Sequence, residues 1–270
     1  MAPSLKSEEK HFELRLAQSS ADLIAAQRLR YRVFVQELGA TGATVDQATC
    51  RESDGFDGIY DHLILIDRRR DPRLLDHVVG VYRLLRGEIA KANDGFYSAT
   101  EFDLSVLNNS GRNLLELGRS CVDANYRGGV AVYLLWNGLA EYVLRHRVDV
   151  LFGVASYHGT DVMQIAQSLS FLHQNHLAPT CLRVNVRPAF SQPMDIIAAP
   201  DLDRVQAMAQ TPALIKAYLR LGGSIGDGAY IDHDFNTIDV CLMMDTARMS
   251  TRHKAAYTRR SDRALDMAHT

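Results

Sequence analysis

One stretch constrains this chain more than any other: LLELGRSCVDANYRGGVAVYLLWNGLA, residues 114–140. Leu114, Leu115, Cys121 and Val122 read as an apolar strand, interrupted by the charged pair Glu116 and Arg119. Asp123 to Gly129 is turn chemistry. Val130, Val132, Leu134, Leu135 and Leu139 then recur at roughly helical spacing. A strand feeding a glycine-bearing loop at a helix start is a ready anion site, because free N–H groups and the positive end of the helix dipole point outward there. Two ionisable residues three apart on the strand lie close by. The segment therefore offers both a place for a phosphate-bearing cofactor arm and a possible acid/base pair. Taken alone, the Gly128-Gly129 pair also suits a plain structural turn, and Glu116 with Arg119 a plain ion pair on a strand.

Upstream, His11 to Leu16 alternates, with Phe12, Leu14 and Leu16 on one face of a half-buried strand. Ser19-Ser20-Ala21-Asp22 offers a helix cap with a carboxylate in the first turn. In the helix that follows, Arg28, Arg30 and Arg32 interleave with apolar residues, and Arg30 and Phe34 sit four apart. These arginines suit a solvated face or a site. Residues 39–51 (GATGATVDQATCR) are small, polar and aperiodic, a flexible loop able to cover a site. Glu52, Asp54 and Asp57 form an acidic cluster that could hold a cationic amine or serve as Asx caps in a turn. Leu63 to Ile66 and Val78 to Leu85, the latter carrying Arg83, make a hairpin across the basic turn 68–73. That turn is either solvated or a docking point for an acidic partner.

Downstream of the helix 130–145, Val148–Ala155 is a buried strand, and Tyr157 to Asp161 a loop. Thr160 or Asp161 caps a helix over Val162–Leu172. Cys181 to Val186 looks like a strand. Thr211-Pro212 opens a helix that ends at Gly222-Gly223. Gly228–Phe235 and Ile238–Met244 are two further strands. Arg248, Arg252, Lys254, Arg259, Arg260 and Arg263 make the tail basic, either solvated or touching a membrane surface or an acyl carrier.

Composition excludes several classes. The chain has 270 residues, enough for one large domain or two small ones. A net charge of −2 argues against a nucleic-acid binder. Four scattered cysteines make neither a zinc site nor a disulfide framework, so no metal is expected and a reducing cytoplasm suits the chain. MAPSLKSEEK has no apolar core of a secretory signal, and no run approaches the roughly 18 apolar residues of a spanning helix.

The element order resembles the GCN5-related N-acyltransferase (GNAT) fold. That resemblance implies an α+β domain whose mixed, mostly antiparallel central sheet is flanked by helices. The core would cover about residues 11–156 and a C-terminal extension 157–246, in one domain 1–246 followed by a tail 247–270. In that family the loop after the fourth strand holds the donor's pyrophosphate or pantetheine arm, here Asn125 to Val130, with Arg127, Gly128, Gly129 and Val130 as contacts. The acyl-homoserine-lactone synthase pattern reappears in order as Arg30/Phe34, Asp54/Asp57, Arg83 and Glu116/Arg119. The stretch VQELGAT after Phe34 lacks that family's tryptophan, and the chain is longer, which counts against a lactone product. Over most of residues 12–246 the chain is most similar to bacterial ornithine N-α-acyltransferases, through LRYRVFVQELGA, DGFDGIYDHL, LELGRSCVDANYRGG, LFGVASYHGTD and GGSIGDGAYIDHDFNTIDVCLMM.

This resemblance implies aminolysis of a thioester: a 3-hydroxyacyl chain passes from acyl carrier protein to the α-amine of L-ornithine. The phosphopantetheine thioester is a co-substrate, and no cofactor is permanently bound. A neutral amine must attack, so a base is needed. Glu116 takes that role, Arg119 fixes it or stabilises developing negative charge, and Asp54 and Asp57 suit an ornithine ammonium or α-amine. Arg30 and Arg83 hold that acidic network or the substrate carboxylate, and Phe34 lines an acyl slot. A cytoplasmic enzyme with peripheral contact to the inner membrane is implied. Glutamine or another acceptor, an acyl-CoA donor, a lactone synthase and a non-catalytic acyl-binding module remain alternatives.

Overall fold

The structure, a computed structural model, describes residues 10–127 and 129–248. In chain order its strands are β1 (Phe12–Leu16), β2 (Val45–Asp46), β3 (Arg51–Glu52), β4 (Asp61–Asp67), β5 (Val78–Arg86), β6 (Phe102–Asp103), β7 (Leu114–Val122), β8 (Val150–His158), β9 (Asn185–Val186), β10 (Ser191–Gln192), β11 (Ser224–Ile225), β12 (Ala229–Asp232) and β13 (Thr237–Asp245). The main helices are α1 (Ser20–Arg30), α2 (Val130–Arg145), α3 (Ala166–His176), α4 (Arg204–Gln210) and α5 (Ala213–Arg220). The chain forms two compact units, residues up to 85 with 117–146, and residues 86–116 with 147 onward. Strand β7 contributes to both, its first three residues to the second unit and the rest to the first.

In the first unit the strand order is β1-β4-β5-β7, with β1 and β5 both antiparallel to β4. The α1 helix starts at a capping box: Ser19 Oγ accepts from Asp22 N at 3.1 Å, and the Asp22 carboxylate accepts from Ser19 N at 3.2 Å. Ala25, Ala26 and Leu29 of α1 pack on Ile64, Ile66, Val81 and Cys121 of the sheet. The helix then widens into a π-helical stretch, Tyr31–Glu37, which carries Val33 into the same core and leaves Phe34 partly buried against it. Helix α2 covers the other face, because side chains alternate along β5 and Gly80 faces opposite to Val81. A Cβ at Gly80 would stand 2.7 Å from Leu135 Cδ1, and one at Gly138 2.5 Å from Leu14 Cδ2, so both glycines permit this close approach.

In the second unit, residues 114–116 of β7 pair in parallel with β8. Strand β8 pairs antiparallel with β13 over nine positions, from Val150↔Asp245 to His158↔Thr237. Strands β12 and β10 continue beyond β13, and β11 also pairs with β13. Leu169 and Leu172 of α3 and Ile215 of α5 are fully buried, as are Val240 and Cys241 of β13.

Several boundaries differ from the sequence reading. Strand β8 runs on through Tyr157 and His158, expected as loop, because β13 supplies hydrogen-bond partners that far. The expected helix from Val162 opens as a 3-10 turn, Val162–Ile165, capped by Asp161, and α3 then extends to His176. Of the expected strand 181–186 only Asn185–Val186 pairs, with β6. Thr211 closes α4, and Pro212 rather than Thr211 caps α5. Strand β12 stops at Asp232, whose Oδ1 accepts from Asp234 N and Phe235 N and turns the chain. The supposed loop 39–51 contains most of the antiparallel β2–β3 pair. The basic tail positions Arg252, Lys254, Arg259, Arg260 and Arg263 lie outside the described residues. Among the described residues no helix is long and apolar enough to cross a membrane.

Candidate functional site

The first unit carries a buried ion network built from α1, β5, β7 and the segment from β3 to Asp57. Arg30 ends α1 and is wholly buried. Its Nε donates to Glu52 Oε2 at 2.5 Å and its Nη1 to Asp57 Oδ1 at 2.6 Å. Its Nη2 donates to the Glu52 carbonyl at 2.6 Å and to Asp57 Oδ2 at 2.9 Å. Arg83, opposite His62 on the sheet, donates through Nη1 to Asp54 Oδ1 at 2.6 Å and to Asp57 Oδ1 at 2.9 Å. Its guanidinium lies 4.5 Å from the centre of the Tyr60 ring. Arg119, on β7, reaches Glu52 at 3.3 Å and Asp54 at 3.5 Å. Its φ of +46° is a left-handed conformation that an arginine seldom adopts.

The network balances itself, with Arg30, Arg83 and Arg119 facing Glu52, Asp54 and Asp57. Burial by itself would raise the Asp57 carboxyl. The hydrogen bonds and charge of Arg30, joined by Arg83 and Gln27, outweigh it and hold Asp57 well below the usual carboxylate range. Asp57 accepts from two arginines and from Gln27 Nε2 at 2.9 Å, four bonds in all, so its lone-pair sites are filled. It has none left for a substrate ammonium, which is the role the sequence suggested for it. Asp54 also accepts from Phe56 N at 3.0 Å, so the Asx-turn reading of this segment holds alongside the ionic one.

Glu116 stands in the second unit and is 1% exposed. Its two oxygens accept from consecutive backbone N–H groups, Oε2 from Tyr97 at 3.0 Å and Oε1 from Ser98 at 2.6 Å. These bonds offset the cost of burying the charge and aim the carboxylate. The 3-10 turn Tyr97–Thr100 supplies these donors.

The loop after β7 shapes a cavity of about 280 Å³ in the first unit. Its lining includes His11, Phe12, Tyr126, Arg127, Gly129 and Val130. Gly129 caps α2 without a side-chain bond, so the helix presents uncapped N–H groups there. Arg127 donates to the Val122 carbonyl at 2.9 Å and pairs with Glu37 at 2.6 Å. Tyr126 Oη donates to Asp67 at 2.7 Å and packs edge-on against Phe12. Three of the four loop residues singled out in the sequence thus meet at one opening, and Gly128 lies outside the described residues.

Sequence reasoning missed Gln27, Tyr126 and Glu37 as partners. It also missed a second carboxylate cluster, Glu101, Asp232 and Asp239. A lone aspartate inside the apolar run IDVCLMM was the signal for the last of these.

Residues 29–137 match the acetyltransferase (GNAT) domain family. The chain is 53% identical over 249 residues to the L-ornithine N(alpha)-acyltransferase of Rhodobacter capsulatus, covering 92% of this chain and 95% of that one. It is 44% identical to the protein of the same name from Brucella abortus, covering 93% and 90%. Its fold is similar to that of FeeM, an N-acyl amino acid synthase from uncultured soil microbes, with a TM-score of 0.51, 12% identity, and 88% and 92% of the two chains covered.

Proposed function

Because the chain belongs to the L-ornithine N(alpha)-acyltransferase family and is an acyltransferase, we propose that it transfers a 3-hydroxyacyl chain from an acyl carrier protein thioester to the α-amine of L-ornithine. The product is the monoacylated lipid precursor, lyso-ornithine lipid. The observation that carries this reading is the match to named relatives along nine-tenths of both chains.

The reaction is aminolysis. The amine nitrogen bonds to the acyl carbon, the thioester carbon–sulfur bond breaks, and the pantetheine thiolate leaves and takes up a proton. Glu116 serves as the base that removes a proton from the incoming amine, directly or through one water. Its two backbone N–H bonds support this role, since they fix the direction of a buried carboxylate. Arg119, three residues on along β7, stabilises developing negative charge. The Arg127–Val130 loop and the uncapped start of α2 hold the phosphate of the pantetheine arm, and the cavity they line is the supporting feature. Arg30, Arg83, Asp54 and Asp57 act as the rigid support of Arg119 in the first unit, and Phe34 borders the acyl slot. The exposed arginines Arg68 and Arg73 of the turn after β4 suit an acidic carrier protein. Peripheral contact with the cytoplasmic face of the inner membrane would let the lipid product leave.

The test is thiol release from 3-hydroxyacyl carrier protein, with acyl-CoA as the competing donor and L-ornithine, L-glutamine and L-lysine as acceptors. Fastest release with carrier protein and ornithine is the expected result. Equal release with no amino acid present, or preference for acyl-CoA, would refute the donor and acceptor named.

A further inference from the structure

The second unit holds one cluster of carboxylates to which nothing above gives a role. Glu101, Asp232 and Asp239 each offer an oxygen within 4.8 Å of the other two. Glu101 and Asp239 are 2% and 3% exposed, and Asp232 is half-buried. The strand register explains the convergence. Thr237 and Asp239 are two apart on β13 and so share a face. Asp232 stands directly opposite Thr237, and Tyr230 opposite Asp239, on β12. The Tyr230 phenol is pushed up by burial first and then by the charges of Glu101, Asp232 and Asp239.

A second, independent feature lies on that same face. The Thr237 hydroxyl is buried, with the residue 8% exposed, and has no hydrogen-bond partner. A buried hydroxyl without a partner is destabilising, so its persistence on the face that carries Asp232 and Asp239 points to a bound polar ligand.

We propose that Glu101, Asp232, Asp239 and Thr237 bind the side-chain ammonium of the amino-acid acceptor. This rests on the functional reading above and adds the groups that select the acceptor. An ammonium has three N–H donors and a positive charge, which answers three convergent acceptor oxygens. Acceptors arranged tetrahedrally about 2.8 Å from a nitrogen lie roughly 4.6 Å apart, which matches the observed spread. The arginine-bound carboxylates of the first unit are already matched by three guanidinium groups.

The position relative to Glu116 also fits. Tyr97 and Ser98 hold Glu116 through their N–H groups, and Glu101 caps the same 3-10 turn three residues later. Across the strands, Glu116 pairs with Phe152 and Phe152 with Met243, and Met243, Cys241 and Asp239 alternate onto one face of β13.

The test compares L-ornithine with L-norvaline, the same chain without the side-chain amine, as acceptors for the full-length enzyme. Asp232→Asn keeps an Oδ1 for the β12–β13 turn while removing the charge. It should lower the ornithine-over-norvaline preference in kcat/KM by about 10- to 100-fold, the range for a hydrogen bond to a charged group. Thr237→Val should lower that preference several-fold while Tm holds or rises, because an orphaned hydroxyl has been removed. A wild type that prefers ornithine, with variants that keep the preference, overturns this inference alone. A wild type without that preference overturns the functional reading and this inference with it. Loss of wild-type activity in EDTA, restored by Mg²⁺ or Ca²⁺, overturns it in favour of a metal site.

Discussion

Replacing Arg30 with methionine tests the ion network most directly. The methionine fills similar volume but removes a wholly buried positive charge and four donated hydrogen bonds. Glu52, itself 0% exposed, keeps only the 3.3 Å contact with Arg119 among its described ion pairs, and Asp57 loses two of its four donors. Three carboxylates then face two guanidinium groups. Breaking one side of a buried pair typically costs about 3–5 kcal/mol, because an uncompensated charge stays inside. At roughly 2–4 °C per kcal/mol for a chain of this size, Tm should fall by about 6–20 °C. Differential scanning calorimetry reads the fall. The double variant Arg30→Met with Glu52→Gln should recover part of the loss, since it removes the charge left stranded. A drop below about 2 °C in the single variant, or no recovery in the double one, would refute the claim that these charges hold one another in place.

Three further predictions follow from single residues. Glu116→Gln should lower thiol release about 10²- to 10⁴-fold; it should also lower Tm by a few degrees, because an amide has one acceptor oxygen for two facing N–H groups. Near-wild-type turnover by the folded variant would remove the base assignment. Gly138→Val places a branched side chain where a Cβ alone meets Leu14 at 2.5 Å and Leu63 at 3.2 Å, so stability should fall by about 1–3 kcal/mol despite the loss of a mid-helix glycine; an unchanged Tm would contradict that packing. Burial holds the His62 imidazole below its ordinary pKa, and its Nε2 lies 3.0 Å from the Asp57 carbonyl. The unfolded chain therefore takes up a proton first, near pH 6.5, and stability present above that pH is lost as pH falls through it. His62→Gln should flatten the decline of Tm between about pH 7.5 and 5.5, and equal slopes would count against it.

Much of the fold was legible in the sequence because it is written in local chemistry. The Ser19 capping box, the alternation of Phe12, Leu14 and Leu16, and the strand–turn–helix of residues 114–145 all depend on neighbours within a few positions. The elements misplaced were those whose extent a distant partner decides. Tyr157 and His158 are strand because Ile238 and Thr237 pair with them. Cys181 is not strand because β6 meets only Asn185 and Val186.

The candidate site divides the same way. Residue types and spacing marked the acidic cluster and the Glu116/Arg119 pair, and the resemblance to the lactone-synthase pattern singled out Arg30, Asp54, Asp57, Arg83, Glu116 and Arg119 together. Their charges did not say who partners whom. Asp57 reads as an acceptor for a substrate amine until the folded chain brings Arg30, Arg83 and Gln27 onto it and fills its lone pairs. Glu101, Asp232 and Asp239 lie more than a hundred residues apart at their extremes, and nothing local marks them as a group. Periodicity and caps act between near neighbours and are carried by the sequence itself. Charge pairing and burial act through space, so only the tertiary structure decides which carboxylates are satisfied and which converge.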